Sequence, residues 1–540
     1  MRRDLNRLAS DVFDLLVIGG GITGAAIARD ASLRGLNVAL VERNDFAHAT
    51  SAHNSKLIHG GLRYLRNFEL GLVRESLRER RIWQRIAPHL VRPLPFLLPV
   101  LASRAGSRGI LAAGLTLYDF LAFDRGRLDD PDQRLPGHSW LGASAARACE
   151  PILESLPLAG AFQYFDAQMY APERLALECV LDAAENGAVA ANHVGARALL
   201  LRENRVCGAS LVDLGTEEEF DVRASLTVIA AGPWTDVFLS TALRHNAHGI
   251  RRSKGIHLVV PALVRGHALT IAAGDSHFFV LPWRSGAIVG TTDTAFEGPP
   301  DSVSVTETDI DEFLGFINSR LPGLQLTRDR VRHSYAGLRP LADSKADSTY
   351  AASRRAELID HEREDGPGAL LSVIGGKWTT SRALAESTVD AVVRKLGKST
   401  RPCTTARRRL PGGALDRLCS FNDEARRDGA ALPNPDHLAR LYGSRFSLLL
   451  GILETRPDLG EALSPSGDIG AQILLAVREE MALSLEDTVM RRTGIGQEGD
   501  PGPRALDRAA TIMGSACGWS EARRRAEIDR VKALFRESRV

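Results

Sequence analysis

The sequence predicts an α/β fold in three parts: a parallel-sheet nucleotide-binding domain begun at the start of the chain, an antiparallel sheet inserted between its pieces, and a mostly helical C-terminal domain. Three observations carry that prediction. Residues 13–42, FDLLVIGGGITGAAIARDASLRGLNVALVE, run from an apolar strand through glycines into a small-residue helix, then into a second apolar strand ending on an acid. Residues 257–292 are strand-rich, with FFVLPW and AIVGTT on either side of Arg284-Ser285-Gly286, a hairpin signal. Beyond Gly412-Gly413 the chain turns rich in Arg, Leu and Ala and carries few strand signals. The expected division is 1–400 for the nucleotide domain with its interleaved substrate sheet and 401–540 for the helical domain.

Each part of the first unit has a physical reason. Gly19 allows the sharp turn out of the strand, Gly21 lets the backbone approach a pyrophosphate, and Gly24 lets the helix lie close on the sheet. The helix N-terminus offers N–H groups to that anion, and Glu42 is placed to accept hydrogen bonds from a ribose diol. An ordinary glycine-rich turn would leave Glu42 without a role, so the unit reads as an adenine dinucleotide site. Farther on, helical periodicity places helices at 70–86 and 172–185, the second opened by Pro172 and ended by Asn186-Gly187. Alternation supports strands near Ala198, Val206 and Thr227, and the run 228–232 reads as a strand that delivers Gly232 close to the cofactor. A short strand at 372–374 ends in Gly375-Gly376, and 377–396 reads as a helix.

Composition narrows the classes. A chain of 540 residues is long enough for a large core, and 44% hydrophobic with 25% charged residues excludes wholesale disorder. A net charge of +2 argues against a nucleic-acid binder. The six cysteines form no C-x-x-C pair, which argues against a zinc site or redox disulfide and for a reducing compartment. The first ten residues are too short and polar for a secretory signal. The most apolar stretch, 109–123, contains Asp119 and is too short to span a bilayer. Arg85, Arg92, Arg104, Arg108, Arg125 and Arg127 nevertheless flank apolar, Pro-broken sequence over 94–123. That mixture suits either a lipid interface or a pair of amphipathic helices packed on the core.

After Glu42, residues 43–65 (RNDFAHATSAHNSKLIHGGLRYL) are dense in Ser, Thr, Asn, His and Gly, with no apolar period until Leu62. A loop this long in a compact domain is expected to wrap a ligand. Within it, Ala49-Thr50-Ser51 and Ser55-Lys56-Leu57-Ile58-His59-Gly60-Gly61-Leu62-Arg63-Tyr64-Leu65 resemble the signature of FAD-dependent glycerol-3-phosphate dehydrogenases. Further similar motifs follow in order: AGPW at 231–234, KGIHLVV at 254–260, GTTD at 290–293, YAGLRPL at 335–341 and GGKWTT at 375–380. The resemblance covers 11–413, with a looser helical remainder. His53 and Asn54 stand where small hydroxyl residues are usual in that family, and Trp378 and Ser381 replace the usual Leu and Tyr.

The resemblance implies a Rossmann-like FAD-binding domain with an inserted antiparallel-sheet substrate domain. It also implies oxidation of sn-glycerol 3-phosphate to dihydroxyacetone phosphate by hydride transfer to flavin N5, with electrons passed to a membrane quinone. A peripheral enzyme at the cytoplasmic face of the cell membrane, or a cytoplasmic one, is the matching location. The C-terminal domain reads as a cap or self-association surface, which allows a homodimer.

That chemistry needs a proton acceptor, an anion pocket and stabilisation of negative charge on the reduced flavin. Arg339, aimed by the turn of YAGLRP, is the first candidate for binding the phosphate or hydroxyl, because a guanidinium makes bidentate contacts to phosphate oxygens. Arg63 on the loop and Tyr64 beside it are further candidates, and Arg354 is one by family position, with Arg355 adjoining it. His257 is the candidate proton acceptor, with His59 its rival beside Gly60 and Gly61. Lys377, with Gly376 and Thr379 at the opening of a helix, is expected at the flavin N1–C2=O edge. Thr50, Ser51, Ser55 and Lys56 are expected to support the flavin or its pyrophosphate. The alternatives are an oxidase on the same scaffold with O₂ as acceptor, an amine or amino-acid oxidase, and a silent flavin-binding sensor.

Overall fold

The computed structural model describes residues 1–243, 249–273, 276–341 and 355–537. Two sheets organise it. In the first, Val12–Ile18 lies between Glu219–Ile229 and Val38–Val41, parallel to both. Val189–Ala191 extends one side and Leu370–Gly375 the other, also in parallel. Ala356–Asp360 closes that edge antiparallel, and an antiparallel meander of Val194–Arg202 and Arg205–Asp213 runs off Glu219–Ile229. The central strands are apolar because both faces are covered. Ile22–Leu33, Pro172–Glu185 and Ser381–Leu396 supply helices whose buried faces join one core with Leu15, Val17 and Leu40.

The second sheet has ten strands and extends well beyond the hairpin visible in the sequence. Its order runs Thr294–Phe296, Arg251–Pro261, Gly286–Gly290, Ser276–Trp283, Ala268–Ala273, Val91–Leu101, Leu158–Met169, Leu57–Ile58. His333–Leu341 pairs with Arg251–Pro261, placing Tyr335 opposite His257 and Arg339 opposite Ser253.

Several expectations need correction. The stretch 94–123 is not a pair of amphipathic helices: Val91–Leu101 is a strand, and the helix is Arg108–Leu121. Pro93, Pro95 and Pro99 sit at alternate positions, so their missing N–H groups fall on one edge while the strand pairs along its whole length with Leu158–Met169. The loop over 43–65 contains the short strand Leu57–Ile58 and ends in a 3₁₀ turn. The helix expected at 377–396 begins at Ser381, after a 3₁₀ turn over Trp378–Thr380. The strand expected to reach Gly232 ends at Ile229.

The C-terminal region is helical and shares the core of the first sheet's helices. Buried ion pairs fasten it. Asp45, directly after the dinucleotide unit, accepts from both Arg492 nitrogens at 2.6 and 2.7 Å and from Arg491 Nε at 2.7 Å, and Arg174 pairs with Glu480 at 2.6 Å. Asp45, His193 and Asp487 lie close enough together to suggest metal ligands, but Arg491 and Arg492 already match the two carboxylates. Among the described residues no helix is long and apolar enough to cross a membrane.

Candidate functional site

Two adjoining cavities, of about 420 and 570 Å³, open where the carboxyl ends of the parallel strands meet the second sheet. Thr50, Pro340, Gly376, Lys377 and Trp378 line both, so the two form one elongated site with a waist at these residues.

The smaller cavity is walled by the strand ends Ile18, Val41 and Ala230, by Gly19, Gly21 and Gly232, and by Glu42 and Ser51. Gly19 has φ +112°, and a Cβ there would stand 2.5 Å from the Ala230 carbonyl oxygen, so only glycine makes this turn. Gly24 lies outside the lining. A Cβ on it would stand 1.9 Å from the Gly19 carbonyl oxygen, so its role is the close packing of helix on strand. The Ser51 hydroxyl accepts from the Ile22 N–H at 2.9 Å, tying the long loop to the helix N-terminus. Glu42 accepts from the Gly20 N–H at 2.6 Å and the Asn44 N–H at 2.8 Å. Burial pushes its proton affinity up while those N–H groups oppose the shift. A glycine cradle on a helix N-terminus with a carboxylate at the next strand end fits the ADP half of a dinucleotide.

The larger cavity carries the polar chemistry. His257, His59, Arg63, Tyr64, Arg339, Lys377, Ser55 and Thr379 all line it, gathered from loop, strand and helix entrance. Arg339 lies across Gly255, donates to Thr291 Oγ1 at 2.7 Å and Ser253 Oγ at 3.1 Å, and has Asp293 at 3.8 Å. His257 lies across Gly290 and stacks on Tyr335, with ring centroids 5.0 Å apart and planes 15° apart. Its Nε2 is 2.9 Å from Ser55 Oγ, while Nδ1 is sealed with no hydrogen-bond partner among the described residues. Lys377 donates to Ser76 Oγ at 2.6 Å and sits 4.4 Å from the Tyr64 ring centroid.

The field in this cavity is positive. Burial, then Arg339 and neighbouring cations, hold His257 well below the usual histidine range. Burial with Lys377 and Arg63 nearby lowers His59 to about 3, and His277 falls to about 3 by burial with Arg63 and His59. Lys377 is lowered to about 7 by burial, partly opposed by Glu75. Such a site disfavours further positive charge and favours an entering anion.

Two expectations are displaced. Lys56 does not reach the cofactor space: its ammonium is buried behind the wall, 3.9 Å from Glu173 and 5.5 Å from the Tyr335 ring centroid. Residues 53–57 are turned so that Ser55 faces the cavity and Lys56 the core. Gly60 also lies behind the lining, clamped where a Cβ would meet Tyr118 and Leu77, and its N–H is accepted by Asp166 at 3.1 Å. Arg354 lies outside the described residues. Sequence reasoning missed Asp166 and His277, which line the larger cavity. Asp166 accepts from Arg80, Tyr118 and Gly60, and its signal was a lone carboxylate within the otherwise uncharged run AGAFQYFDAQM.

One part of the cavity's lining is apolar: Leu62, Leu65, Leu98, Ile110, Leu111 and Leu115. Ile110 belongs to the Arg108–Leu121 helix, whose outer side leaves Ile110 77%, Phe120 73% and, just beyond it, Phe123 62% exposed. Arg104, Arg108 and Arg127 are exposed around them, whereas Arg92 is half-buried and donates to Asn422.

Comparison with known proteins agrees with this fold. Residues 14–382 match the family model described as FAD dependent oxidoreductase, and residues 403–524 match the C-terminal domain of alpha-glycerophosphate oxidase. The chain is 37% identical over 537 residues to a glycerol-3-phosphate dehydrogenase of Synechocystis sp., covering 96% of this chain and 95% of that protein. It is 35% identical over 497 residues to the aerobic glycerol-3-phosphate dehydrogenase of Escherichia coli, covering 89% and 94%. The solved glycerol-3-phosphate dehydrogenase from Bacillus halodurans, complexed with FAD, superposes with a TM-score of 0.79 at 29% identity over 99% of this chain and 97% of that one.

Proposed function

From the premise that the chain belongs to the FAD dependent oxidoreductase family, we propose that it oxidises sn-glycerol 3-phosphate to dihydroxyacetone phosphate. One observation carries the substrate: a cavity with Arg63, Arg339 and Lys377 in its wall and its histidines held neutral adjoins the dinucleotide cavity. A phosphate dianion answers that excess of positive charge; an amino acid with its own ammonium does not.

Bound FAD supplies the hydride acceptor, its N5. Arg339 and Arg63 bind the phosphate, and the Thr291 and Ser253 hydroxyls hold the Arg339 fork in place. His257 accepts the carbinol proton at Nε2, the ring atom beside Ser55 Oγ. The arriving dianion offsets Arg339 and so raises the affinity of His257 for that proton. Lys377, at the waist between the cavities, is placed to offset negative charge as the cofactor is reduced.

The apolar part of the same cavity supports a quinone rather than O₂ as electron acceptor, and the exposed Ile110, Phe120 and Phe123 among arginines support seating on a lipid surface at the cytoplasmic face. Phe120→Glu with Phe123→Glu is expected to release the protein from anionic vesicles while leaving turnover with a soluble dye acceptor within about twofold. Undiminished sedimentation with vesicles counts against this seat. The reaction itself is tested by anaerobic titration with glycerol 3-phosphate, following the oxidised flavin band near ~450 nm. Bleaching by this substrate, and not by glycerol or amino acids, is the expected result; a yellow protein that does not bleach sinks the assignment.

A further inference from the structure

The loop residue that the structure turns away from the cofactor occupies a defined place behind the catalytic wall. Lys56 is buried, and its backbone is held in the left-handed region at φ +54°. Its N–H is accepted by Asn54 Oδ1 at 2.7 Å and its carbonyl oxygen accepts from Met169 at 2.8 Å, so the side chain is aimed by the main chain on both sides. The ammonium lies 4.9 Å from the Trp283 ring centroid and 5.5 Å from that of Tyr335, the ring on which His257 stacks. Glu173 stands 3.9 Å away on the far side. Glu173 in turn accepts from Gln497 Nε2, whose carbonyl oxygen accepts from Arg284 Nη2 at 2.6 Å. Gln497 belongs to the C-terminal region. A continuous set of contacts therefore runs from that region through Glu173, Lys56 and Tyr335 to His257.

We propose that Lys56 is a positioning residue for the proton acceptor: a buried cation, seated by Glu173 and through it by Gln497, that backs Tyr335 against His257 and keeps the imidazole neutral until substrate binds. This rests on the functional reading above and deepens it, because it gives the C-terminal region a part in the chemistry. Among the described residues the groups facing His257 are few. The loop contributes His53, Ser55 and Lys56, the His333–Leu341 strand contributes Tyr335 and Arg339, and the Gly286–Gly290 strand contributes only Gly290. Arg339 has Asp293 beside it at 3.8 Å, and Lys56 has Glu173 at a similar distance, so neither cation acts at full strength. Burial lowers Lys56 to about 8, partly opposed by Glu173, so its charge is present at neutral pH and fades above that value.

The sign of the effect is fixed. Removing a nearby cation makes the imidazolium less unfavourable and raises the pH at which His257 loses its proton. Turnover needs the neutral ring, so the acidic limb of the rate profile moves to higher pH. The test is single-turnover flavin reduction by saturating glycerol 3-phosphate from pH 4 to 9 in the FAD-loaded full chain. Lys56→Met is expected to move the acidic limb upward by about one unit, and Lys56→Arg is expected to restore it to within about 0.3 units. A merely structural role predicts slower reduction in both variants with the limb unmoved, and that result overturns the proposal. If Lys56→Met does not retain FAD, Lys56→Gln takes its place, keeping a side-chain donor toward the Ala52 carbonyl oxygen, to which Lys56 Nζ donates at 3.4 Å. Loss of FAD by both neutral variants also overturns the proposal. Failure of the unmodified protein to bleach would sink the substrate assignment instead, so the two failures are distinguishable.

Discussion

Arg339→Ala raises the KM for glycerol 3-phosphate by roughly 100-fold, about 3 kcal/mol, and leaves FAD bound. The guanidinium is held by the Thr291 and Ser253 hydroxyls and the Thr292 carbonyl oxygen, all uncharged. Among the described residues Asp293 is the carboxylate beside it, 3.8 Å away, and itself accepts from Ser253 Oγ at 2.6 Å. Truncation removes a charge-assisted contact to an incoming dianion that water does not replace. Arg339→Lys recovers only a small part of the loss, because an ammonium cannot span Thr291 and Ser253 while contacting two phosphate oxygens. Steady-state kinetics with flavin content measured alongside decide the matter. An unchanged KM removes Arg339 from the substrate site.

Gly24→Ala yields protein with less than about a tenth of the normal FAD content after gel filtration. The added Cβ would stand 1.9 Å from the Gly19 carbonyl oxygen and 3.3 Å from Val17 Cγ1, and the first of these is backbone, with no rotamer to yield. Relief requires the Ile22–Leu33 helix to lift from the turn, which costs of the order of 1–3 kcal/mol in overpacking and moves the N–H groups that face the pyrophosphate. Gly71→Ala is the control, since nothing lies within 4 Å of a Cβ there. Full flavin occupancy in Gly24→Ala would show that the helix tolerates the shift.

The dinucleotide unit was legible because each of its steps is local: a strand period, a glycine turn, a helix start and an acid follow one another within residues 13–42. The residues now lining the larger cavity were legible for a different reason, the resemblance of motifs such as KGIH and YAGLRP, and each chemical side chain lies over a glycine of another motif. His257 spans Gly290 and Arg339 spans Gly255. The illegible parts depended on long-range pairing. Pro-broken residues 94–123 suited either a lipid interface or a pair of amphipathic helices, and only the register of Val91–Leu101 with Leu158–Met169 shows a strand whose prolines share an edge. Lys56 stands in a run of polar residues, and nothing short of the left-handed backbone at that position reveals that it faces inward. Asp166 was hidden because its partners Arg80, Tyr118 and Gly60 come from three separate segments.

The Asp45 cluster has a consequence for biosynthesis. Asp45 emerges early from the ribosome, yet the arginine whose Nε lies 2.7 Å from it is encoded 446 residues later. At about 5–20 residues per second, that carboxylate waits roughly 20 to 90 seconds for its counterion. A buried carboxylate without its partner costs about 3–5 kcal/mol, so the loop that begins at Asp45 and carries Thr50, Ser51 and Ser55 cannot settle against the nascent domain in the meantime. Cofactor capture accordingly waits for Arg491 and Arg492, and a translation product halted before them is expected to leave the ribosome without its flavin.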